Sequence, residues 1–279
     1  MKNHMPRKLQ MRIICKSAIC ILLGIVYLLP VLLVVMNAFK PNKEILTSFI
    51  SFPTNLYMEN ISQAMSLMKF WRSFVNTSIV TVFTVLLAGG TSFLAAYGIS
   101  HLRGKLSSGL YLTFVLGQII PFQTVMISIS VMATKLHLNN TYWGLILFDA
   151  GFYVAFGIMT YVGFLKSIPK ELEEAAAIDG ASAFRIMIQI VFPLLKATSV
   201  TLAILFFLWT WNDLVLPNIL ISNENLRTIT VNLYMFKSAT NAQWNLLIAG
   251  LTISMIPIIF IYLFGQKYIT SGLTAGAVK

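Results

Sequence analysis

The strongest constraint on the fold of this chain is a series of long stretches that carry almost no charge. A helix needs about 20 apolar residues to cross the roughly 30 Å hydrocarbon core of a bilayer. The sequence contains six such stretches, and 57% of its 279 residues are hydrophobic whereas only 10% are charged. The predicted spans are approximately Ser17–Ala38, Phe74–Ser100, Ser108–Ala133, Tyr142–Leu165, Ala197–Ile221 and Gln243–Phe264.

The hydrophobic pattern of these stretches indicates helices. Inside lipid an unpaired backbone N–H or C=O costs several kcal/mol, so a spanning segment is either a helix or a strand of a closed barrel. The stretches show no alternation of apolar and polar residues, which excludes the barrel. The sequence therefore predicts an all-α membrane protein with six transmembrane helices.

The first stretch has a second interpretation as a cleavable signal peptide, because several basic residues precede it. Its apolar run is about 22 residues long, whereas the apolar region of a signal peptide has about 7–15, and no A-x-A cleavage site follows. We therefore interpret residues 17–38 as a retained first transmembrane helix.

The net charge of +11 raises the question of a nucleic-acid partner, but basic residues in a membrane protein first report its orientation. Lys and Arg are more numerous on the side of the N-terminus than on the opposite side, although the opposite loops are longer. We predict cytoplasmic termini, with a cytoplasmic segment at 1–16, an extracytoplasmic loop at 39–73 and a cytoplasmic tail at 266–279. No nucleic-acid partner is expected.

The sequence offers no constellation for catalysis, metal binding or nucleotide binding. His4, His101 and His137 are scattered among loops and tails, and neither H-E-x-x-H nor the phosphate-loop pattern G-x-x-x-x-G-K-[ST] occurs. Cys15 and Cys20 do not share a helix face and lie at the predicted cytoplasmic end of the first helix, where thiols stay reduced. We expect no catalytic residue, metal or cofactor on this chain, which disfavours an intramembrane enzyme.

The segment Lys166–Lys196, between the fourth and fifth spans, is unusually rich in acidic residues. Four of the nine in the whole chain lie here: Glu171, Glu173, Glu174 and Asp179. Pro169 can open a helix whose first turn then carries the negative charge that the helix dipole favours. Gly180 stops that helix, and a second apolar helical pattern leads to Pro193 and the fifth span. The sequence predicts a helix–turn–helix that projects from the bilayer.

The spacing in this segment resembles the signature of the inner-membrane permeases of ABC importers, which is E-A-A, three residues, G, nine residues, I-x-L-P. Every spacing is preserved, and Phe192 stands where the family usually has Leu. The matching residues are Glu174, Ala175, Ala176, Gly180, Ile190 and Pro193. The alternative is an ordinary acidic interfacial helix that packs on the chain's own helices.

The resemblance implies a type I ABC importer permease fold, with a core domain over 74–265 that includes a coupling loop at 166–196. In that family the loop seats in a groove of a separate ATP-hydrolysing subunit. By resemblance, Ala175 and Ala176 allow close seating and Gly180 makes the turn. Glu174 and Asp179 would then pair with polar groups of the loop or of the ATPase. ATP and Mg are accordingly expected on the partner subunits.

The resemblance also implies partners and a mechanism. The expected partners are a second homologous permease subunit, two ATP-binding subunits, an extracytoplasmic solute-binding protein and membrane lipid. Transport would proceed by alternating access across the bacterial cytoplasmic membrane. An ion-coupled secondary transporter is the rival hypothesis, but neither internal repeats nor intramembrane ions are evident in the sequence.

The fifth span and the C-terminal residues are similar to the carbohydrate-uptake branch of these permeases. A sugar is therefore the expected substrate, and a non-sugar solute such as glycerol-phosphate is the alternative. By the same resemblance the tail makes a second contact with the ATPase, through Gly272, Thr274 and Gly276.

Aromatic and polar residues of the fifth span form a candidate substrate pathway. Phe206, Trp209 and Asp213 fall on one helical stripe with Asn212 beside it, and such a stripe suits a polyol. The alternative role is that of interfacial anchors or of a brace for the helix. Asp149 in the fourth span is either a proton relay or a hydrogen-bond partner of a neighbouring helix.

Overall fold

Helices account for all the regular secondary structure in residues 7–237 and 242–275, which are the residues that this computed structural model describes. The helices are α1 (Arg7–Asn37), α2 (Asn42–Thr47), α3 (Glu59–Leu67), α4 (Phe70–His101), α5 (Lys105–Ile119), α6 (Phe122–Lys135), α7 (Tyr142–Leu165), α8 (Lys170–Ile178), α9 (Ala183–Ile186), α10 (Phe192–Leu194), α11 (Lys196–Asn212), α12 (Val215–Leu220), α13 (Ile229–Tyr234) and α14 (Trp244–Ala275). The predicted all-α fold class is therefore confirmed.

Four of these helices are long and apolar enough to cross a bilayer. They are α4 and α7 over their whole length, Cys15–Asn37 within α1, and Trp244–Gln266 within α14. Two bent helix pairs, Lys105–Ile119 with Phe122–Lys135 and Ala183–Leu194 with Lys196–Asn212, could each form one further span, so the number of candidate spans is between four and six. The helix α7 has the bounds that its hydrophobic stretch predicts, whereas α1 and α14 extend beyond theirs.

The third predicted span is broken rather than merely kinked, since α5 and α6 meet at 99°. Ile120 at the break is extended, with φ −71° and ψ 117°. Pro121 follows it, and a proline disfavours helical geometry in the residue before it and lacks an N–H to continue the helix.

The fifth predicted span also differs from the sequence-based expectation. Instead of running from Ala197 to Ile221, α11 ends at Asn212 and α12 begins at Val215. The reason is Asp213, which is extended and whose Oδ1 accepts the N–H of Val215 at 2.9 Å. A carboxylate in that position satisfies a free N–H at the start of the next helix.

The chain forms two compact units, one comprising Met1–Met68 with Leu233–Met255 and the other Lys69–Asn232 with Ile256–Lys279. In the first unit, buried polar groups fold the chain that follows α1. Asn60 donates to the carbonyl oxygens of Ala38 and Lys40 at 3.0 and 2.8 Å, and Asn245 donates to Asn60 at 2.9 Å. The Lys40 ammonium is fully buried and donates to the carbonyl of Ser48 at 2.9 Å.

The core of the second unit lies where α4, α7 and α11 pack together. Gly157 of α7 permits the close approach, because a Cβ there would overlap the side chain of Ser92 on α4 and lie 3.3 Å from the Phe206 ring on α11. Ser92 in turn donates to the carbonyl of Val154 at 3.2 Å. Small residues at a helix seam allow this kind of backbone approach in membranes.

A polar cluster fixes the 222–230 loop of the second unit to the first turns of α4 and α7. Asn76, which is buried, donates to the carbonyl oxygens of Asn225 and Arg227 at 2.9 and 3.0 Å. The hydroxyl of Tyr142 donates to Asn76 Oδ1 at 2.7 Å. The N–H of Ile229 donates to Thr77 Oγ1 at 3.0 Å, so the loop backbone is held at several points.

Candidate functional site

The acidic segment between α7 and α11 folds as the sequence predicts, with α8 as a short helix that begins after an extended Pro169. The helix ends at Gly180, whose φ of +81° is accessible to glycine at little cost. The N–H of Ala181 bonds the carbonyl of Ala176 and that of Gly180 bonds the carbonyl of Ala177, at 3.0 and 3.1 Å. This is a Schellman turn, which explains why a glycine is needed here.

The two faces of α8 are different. Ala176 packs against the core of the second unit and Glu173 is half-buried. Glu174 and Ala175 are exposed, and Ile178 is 86% exposed. Residues three or four positions apart share a helix face, so Glu174 and Ala175 line one open surface with Ile178.

The segment also leaves other apolar side chains exposed. Leu172 and Phe184 are 45% and 70% exposed. Within the described part of the chain, Glu174 and Asp179 form no side-chain hydrogen bond or ion pair. The predicted pairing of these two carboxylates with polar groups of the loop is therefore not seen among the described residues.

Glu173 behaves differently, since it is bound to the end of α4. Its Oε2 accepts the hydroxyl of Tyr97 at 2.9 Å and lies 2.9 Å from His101 Nε2. His101 Nδ1 is 2.8 Å from the carbonyl oxygen of Tyr97. A carbonyl and a carboxylate only accept, so both ring nitrogens donate at once only when the ring carries its second proton. Sequence reasoning did not find this contact, because no spacing links residue 97 or 101 to residue 173.

The last residues of the motif lie in an irregular helical connection to α11. Ile190 is part of a π-helical turn, Met187–Val191, and packs against the core of the second unit. Pro193 is exposed in the first turn of α10, where its missing N–H costs no helix bond. The stretch Ala183–Leu194 then meets α11 at 76°. Such π-turns often accompany functional sites in helices.

The candidate substrate pathway on α11 joins an aromatic cluster with α7. Phe206 is fully buried and stacks on Tyr153 at 5.5 Å between ring centroids. Trp209 is 37% exposed and contacts Tyr153 and Phe156 at 5.3 and 5.2 Å. Of the two aromatic residues on the predicted stripe, Trp209 is therefore partly exposed, whereas Phe206 is buried. Tyr153 and Phe156 were missed, although their spacing places them on one face of α7.

The polar members of the pathway are divided between exposed and buried positions. Asn212 is exposed and donates to the carbonyl of Leu208 at 2.7 Å. Asp213 is half-buried and caps α12. Asp149 is 4% exposed, and one of its carboxylate oxygens has no hydrogen-bond partner among the described residues. The structure brings Asp149 and Asp213 near enough for their charges to interact.

The predicted tail contacts fall at the edge of what the structure describes. Gly272 and Thr274 belong to the last turns of α14, which continues past residue 266 to Ala275. Gly276 lies outside the described residues. Their assignment to an ATPase contact stays a prediction.

Comparison with known proteins places these features in one family. The family described as "Binding-protein-dependent transport system inner membrane component" matches residues 88–274. The chain is 38% identical to the probable starch degradation products transport system permease protein AmyC of Thermoanaerobacterium thermosulfurigenes, over 93% of this chain and 94% of that protein. It is 34% identical to the multiple sugar-binding transport system permease protein MsmG of Streptococcus mutans, over 92% and 93%.

Solved structures give the same fold. A chain of a bacterial ABC transporter involved in the import of the acidic polysaccharide alginate aligns with a TM-score of 0.78 at 21% identity. The alignment covers 96% of this chain and 99% of that chain.

Proposed function

Because the chain belongs to the family of binding-protein-dependent transport system inner membrane components, we propose that it is the permease subunit of an ATP-driven importer that carries a sugar across the bacterial cytoplasmic membrane. The observation that carries the coupling role is α8, which turns an unpartnered acidic and apolar face outward and stops at a glycine with positive φ. Relatives that match nearly the whole chain bear the names of starch-product and multiple-sugar permeases, which supports a sugar as the substrate.

The α8 face is the proposed seat of an ATPase subunit. One surface of the helix combines the carboxylate of Glu174, the small side chain of Ala175 and the apolar side chain of Ile178. Asp179 and Gly180 complete this surface at the turn, and Ile190 and Pro193 connect it to α11. The two ATPase subunits would bind ATP and Mg, so this chain would hold neither and would catalyse no reaction of its own.

The proposed topology has six spans with both termini in the cytoplasm. It counts each bent pair, α5 with α6 and α9–α10 with α11, as one span. The excess of Lys and Arg on the α8 side supports this orientation. The 39–73 loop and the 222–230 loop then face outward, toward a solute-binding protein.

A second permease subunit completes the proposed pathway. The open cavity beside the break between α5 and α6 has a volume of about 700 Å³ and is lined almost wholly by apolar groups such as Phe114, Ile129 and Phe152. An apolar wall of this kind suits another helix or lipid better than a sugar. The sugar is better placed near Trp209 and Asp213, which present a partly exposed ring and a half-buried carboxylate. Closure of the ATPases would switch the pathway between outward-open and inward-open states.

The test compares Gly180→Arg with Gly104→Arg in the complex with its neighbouring permease and ATPases. Both glycines have positive φ and open space around them, but Gly104 lies in the turn before α5. We expect Gly180→Arg to lose the ATPases on co-purification and to lower ATP-driven uptake about tenfold or more, since coupling free energies of about 1–3 kcal/mol correspond to such factors. Gly104→Arg should keep both ATPase binding and uptake. Equal ATPase binding and equal uptake in the two variants would refute the docking face.

The substrate class is tested in the same complexes. Radiolabelled maltotriose, raffinose, diacetylchitobiose and glycerol 3-phosphate would be offered in turn, with the solute-binding protein outside the vesicles and ATP inside them. ATP-dependent uptake of a sugar supports the proposal. Uptake of glycerol 3-phosphate alone would replace the sugar with an anionic solute, and uptake driven by an ion gradient without ATPases would overturn the importer assignment.

A further inference from the structure

The hydrogen bonds of Glu173 tie α8 to a span with which it shares no covalent connection. Along the chain, α8 leads only to α7 on one side and, through α9 and the π-turn, to α11 on the other. Glu173 instead reaches Tyr97 and His101 in the last turns of α4. Glu173 is the one described acidic residue of α8 that is bound to another helix, because Glu171 and Glu174 remain exposed.

The geometry of this contact leaves little freedom. One oxygen, Glu173 Oε2, takes both partners at 2.9 Å. The rings of Tyr97 and His101 are themselves 4.1 Å apart, one helical turn from each other, and His101 is bound back to the Tyr97 carbonyl. The carboxylate is mostly shielded, with 19% of its side chain exposed against 46% for His101. A shielded, charge-assisted hydrogen bond is stronger than an exposed one.

We propose that Tyr97, His101 and Glu173 are positioning residues that make α8 and the adjacent end of α4 move as one body when the ATPases close. The inference rests on the proposed function, because it presupposes that α8 is the docking element. Glu174 and the exposed apolar side chains meet the ATPase, and Glu173, about 100° around the helix from Glu174, passes the displacement to α4.

Through the contact of Glu173 with α4, movement of the ATPase would be transmitted to the core of the permease. Movement of α8 alone would reach α11 through a π-turn and a 76° bend, which can absorb displacement. The Glu173 contact bypasses this connection, because α4 packs along α7 and α11. The same three helices carry Asp149, Trp209 and the aromatic cluster of the proposed pathway. The contact with α4, added to the covalent connections to α7 and α11, therefore couples nucleotide state to the pathway more rigidly than those two connections alone.

The test measures the distance between spin labels on α4 and α8 in the assembled complex. The labels would be placed at Arg103→Cys and Lys170→Cys, both exposed, with Cys15 and Cys20 replaced by serine. Distances would be recorded without nucleotide and with ATP and vanadate. In the parent complex we expect one narrow distribution that is the same in both states.

Variants of the link separate positioning from mere packing. Glu173→Ala and Tyr97→Phe should broaden the distribution and make it depend on nucleotide, whereas His101→Gln, which keeps a donor near Nε2, should restore the parent behaviour that His101→Leu loses. Glu59→Ala, which removes the same charge in α3, is the control for the distance measurement alone. In Glu173→Ala we also expect ATP hydrolysis to continue while uptake per ATP falls about threefold or more, within the usual range of coupling effects.

The outcomes also separate this inference from the proposed function. If Gly180→Arg prevents ATPase binding but Glu173→Ala leaves both the distance distribution and the uptake per ATP unchanged, the link is refuted and the docking face stands. If Gly180→Arg assembles and transports normally, the docking face itself fails. A parallel loss of assembly and hydrolysis in Glu173→Ala would assign Glu173 a purely structural role.

Discussion

The two ends of the second unit differ in whether their polar side chains are hydrogen-bonded within the chain. At the 222–230 loop, Asn76, Thr77 and Tyr142 are engaged with the loop or with one another, and the loop backbone is bound at several points. At α8, Glu174 and Asp179 remain without side-chain partners among the described residues, and Ile178 is almost fully exposed. One end is held by hydrogen bonds within the chain, and the other leaves its acidic and apolar side chains open.

The contrast has a physical basis. A buried polar group costs free energy unless it is hydrogen-bonded, so the 222–230 loop is stable only in one arrangement. An exposed carboxylate is satisfied by water and costs nothing until a partner removes that water. The α8 face can therefore stay exposed without destabilising the subunit until the proposed ATPase contact forms. Substitutions at the two ends should accordingly have different consequences.

The largest expected effect concerns Ile178→Glu on the exposed face. Uptake by the assembled complex should fall about tenfold or more, because a charge would replace the apolar contact in the proposed interface. The thermal unfolding of the isolated subunit should hardly change, since surface substitutions alter stability by about 0.5 kcal/mol or less. Ile178→Val is the conservative control. A large drop in the unfolding temperature of Ile178→Glu would show that the face belongs to the chain's own core.

Asn76→Ala should show the reverse pattern and destabilise the isolated subunit by about 2 kcal/mol. The substitution leaves two backbone carbonyls and the Tyr142 hydroxyl without their partner, and each unsatisfied buried group costs about 1–3 kcal/mol before relaxation. Thermal unfolding in detergent measures the effect, and exposed Asn218→Ala serves as the control. Equal unfolding temperatures for the two variants would mean that the loop is not held as described.

Asp149 lies in α7, between the two ends compared above. The substitution Asp149→Asn should change uptake by less than about twofold. The carboxylate is buried and close to Asp213, but the amide has the same shape and retains an acceptor oxygen. ATP-driven uptake in the reconstituted complex is the measurement. A collapse of uptake with normal assembly would favour the proton-relay interpretation instead.

The smallest expected effect is a pH dependence at the 222–230 loop. The hydrogen bond and the charge of Lys69, with Arg227 as a further cation, lower the pKa of Glu224 below its ordinary value of 4.5. Because the folded state favours the charged carboxylate, its contribution is present above pH 4.5 and is lost as the pH falls below that value. Unfolding temperatures from pH 6 to pH 3.5 should fall slightly more for the parent than for Glu224→Gln. If the unfolding temperatures of the parent and of Glu224→Gln fall in parallel, the ion pair between Lys69 and Glu224 has no effect on stability.

Local sequence signals predicted several elements well, and the reasons are visible in particular residues. The span 142–165 is correct because hydrophobicity starts and stops sharply at its ends, and Thr141 caps its first turn by accepting the N–H of Gly144 at 3.0 Å. The turn at Gly180 is correct because a Schellman turn demands a residue at ease with positive φ. The break after Asn212 was missed, since an aspartate within an apolar run does not reveal whether it caps a new helix.

The candidate site was predictable to a similar extent. The coupling motif is contiguous in sequence, so its helix and turn follow from local rules. The contact of Glu173 with Tyr97 and His101 joins positions more than 70 residues apart, and no periodicity in either helix indicates it. The exposure of Trp209 above a buried Phe206 likewise depends on Tyr153 and Phe156 of another helix.

The sequence by itself determined the membrane class, the approximate spans and the acidic helix with its glycine stop, because hydrophobicity, proline, glycine and charge act over a few residues. Tertiary structure alone decided which face of α8 is open, which carboxylate is bound to α4, and how sharply the two bent pairs turn. These features depend on which side chains packing brings within about 3 Å of one another, and hydrogen bonds of that length arise only after distant helices have found their mutual register.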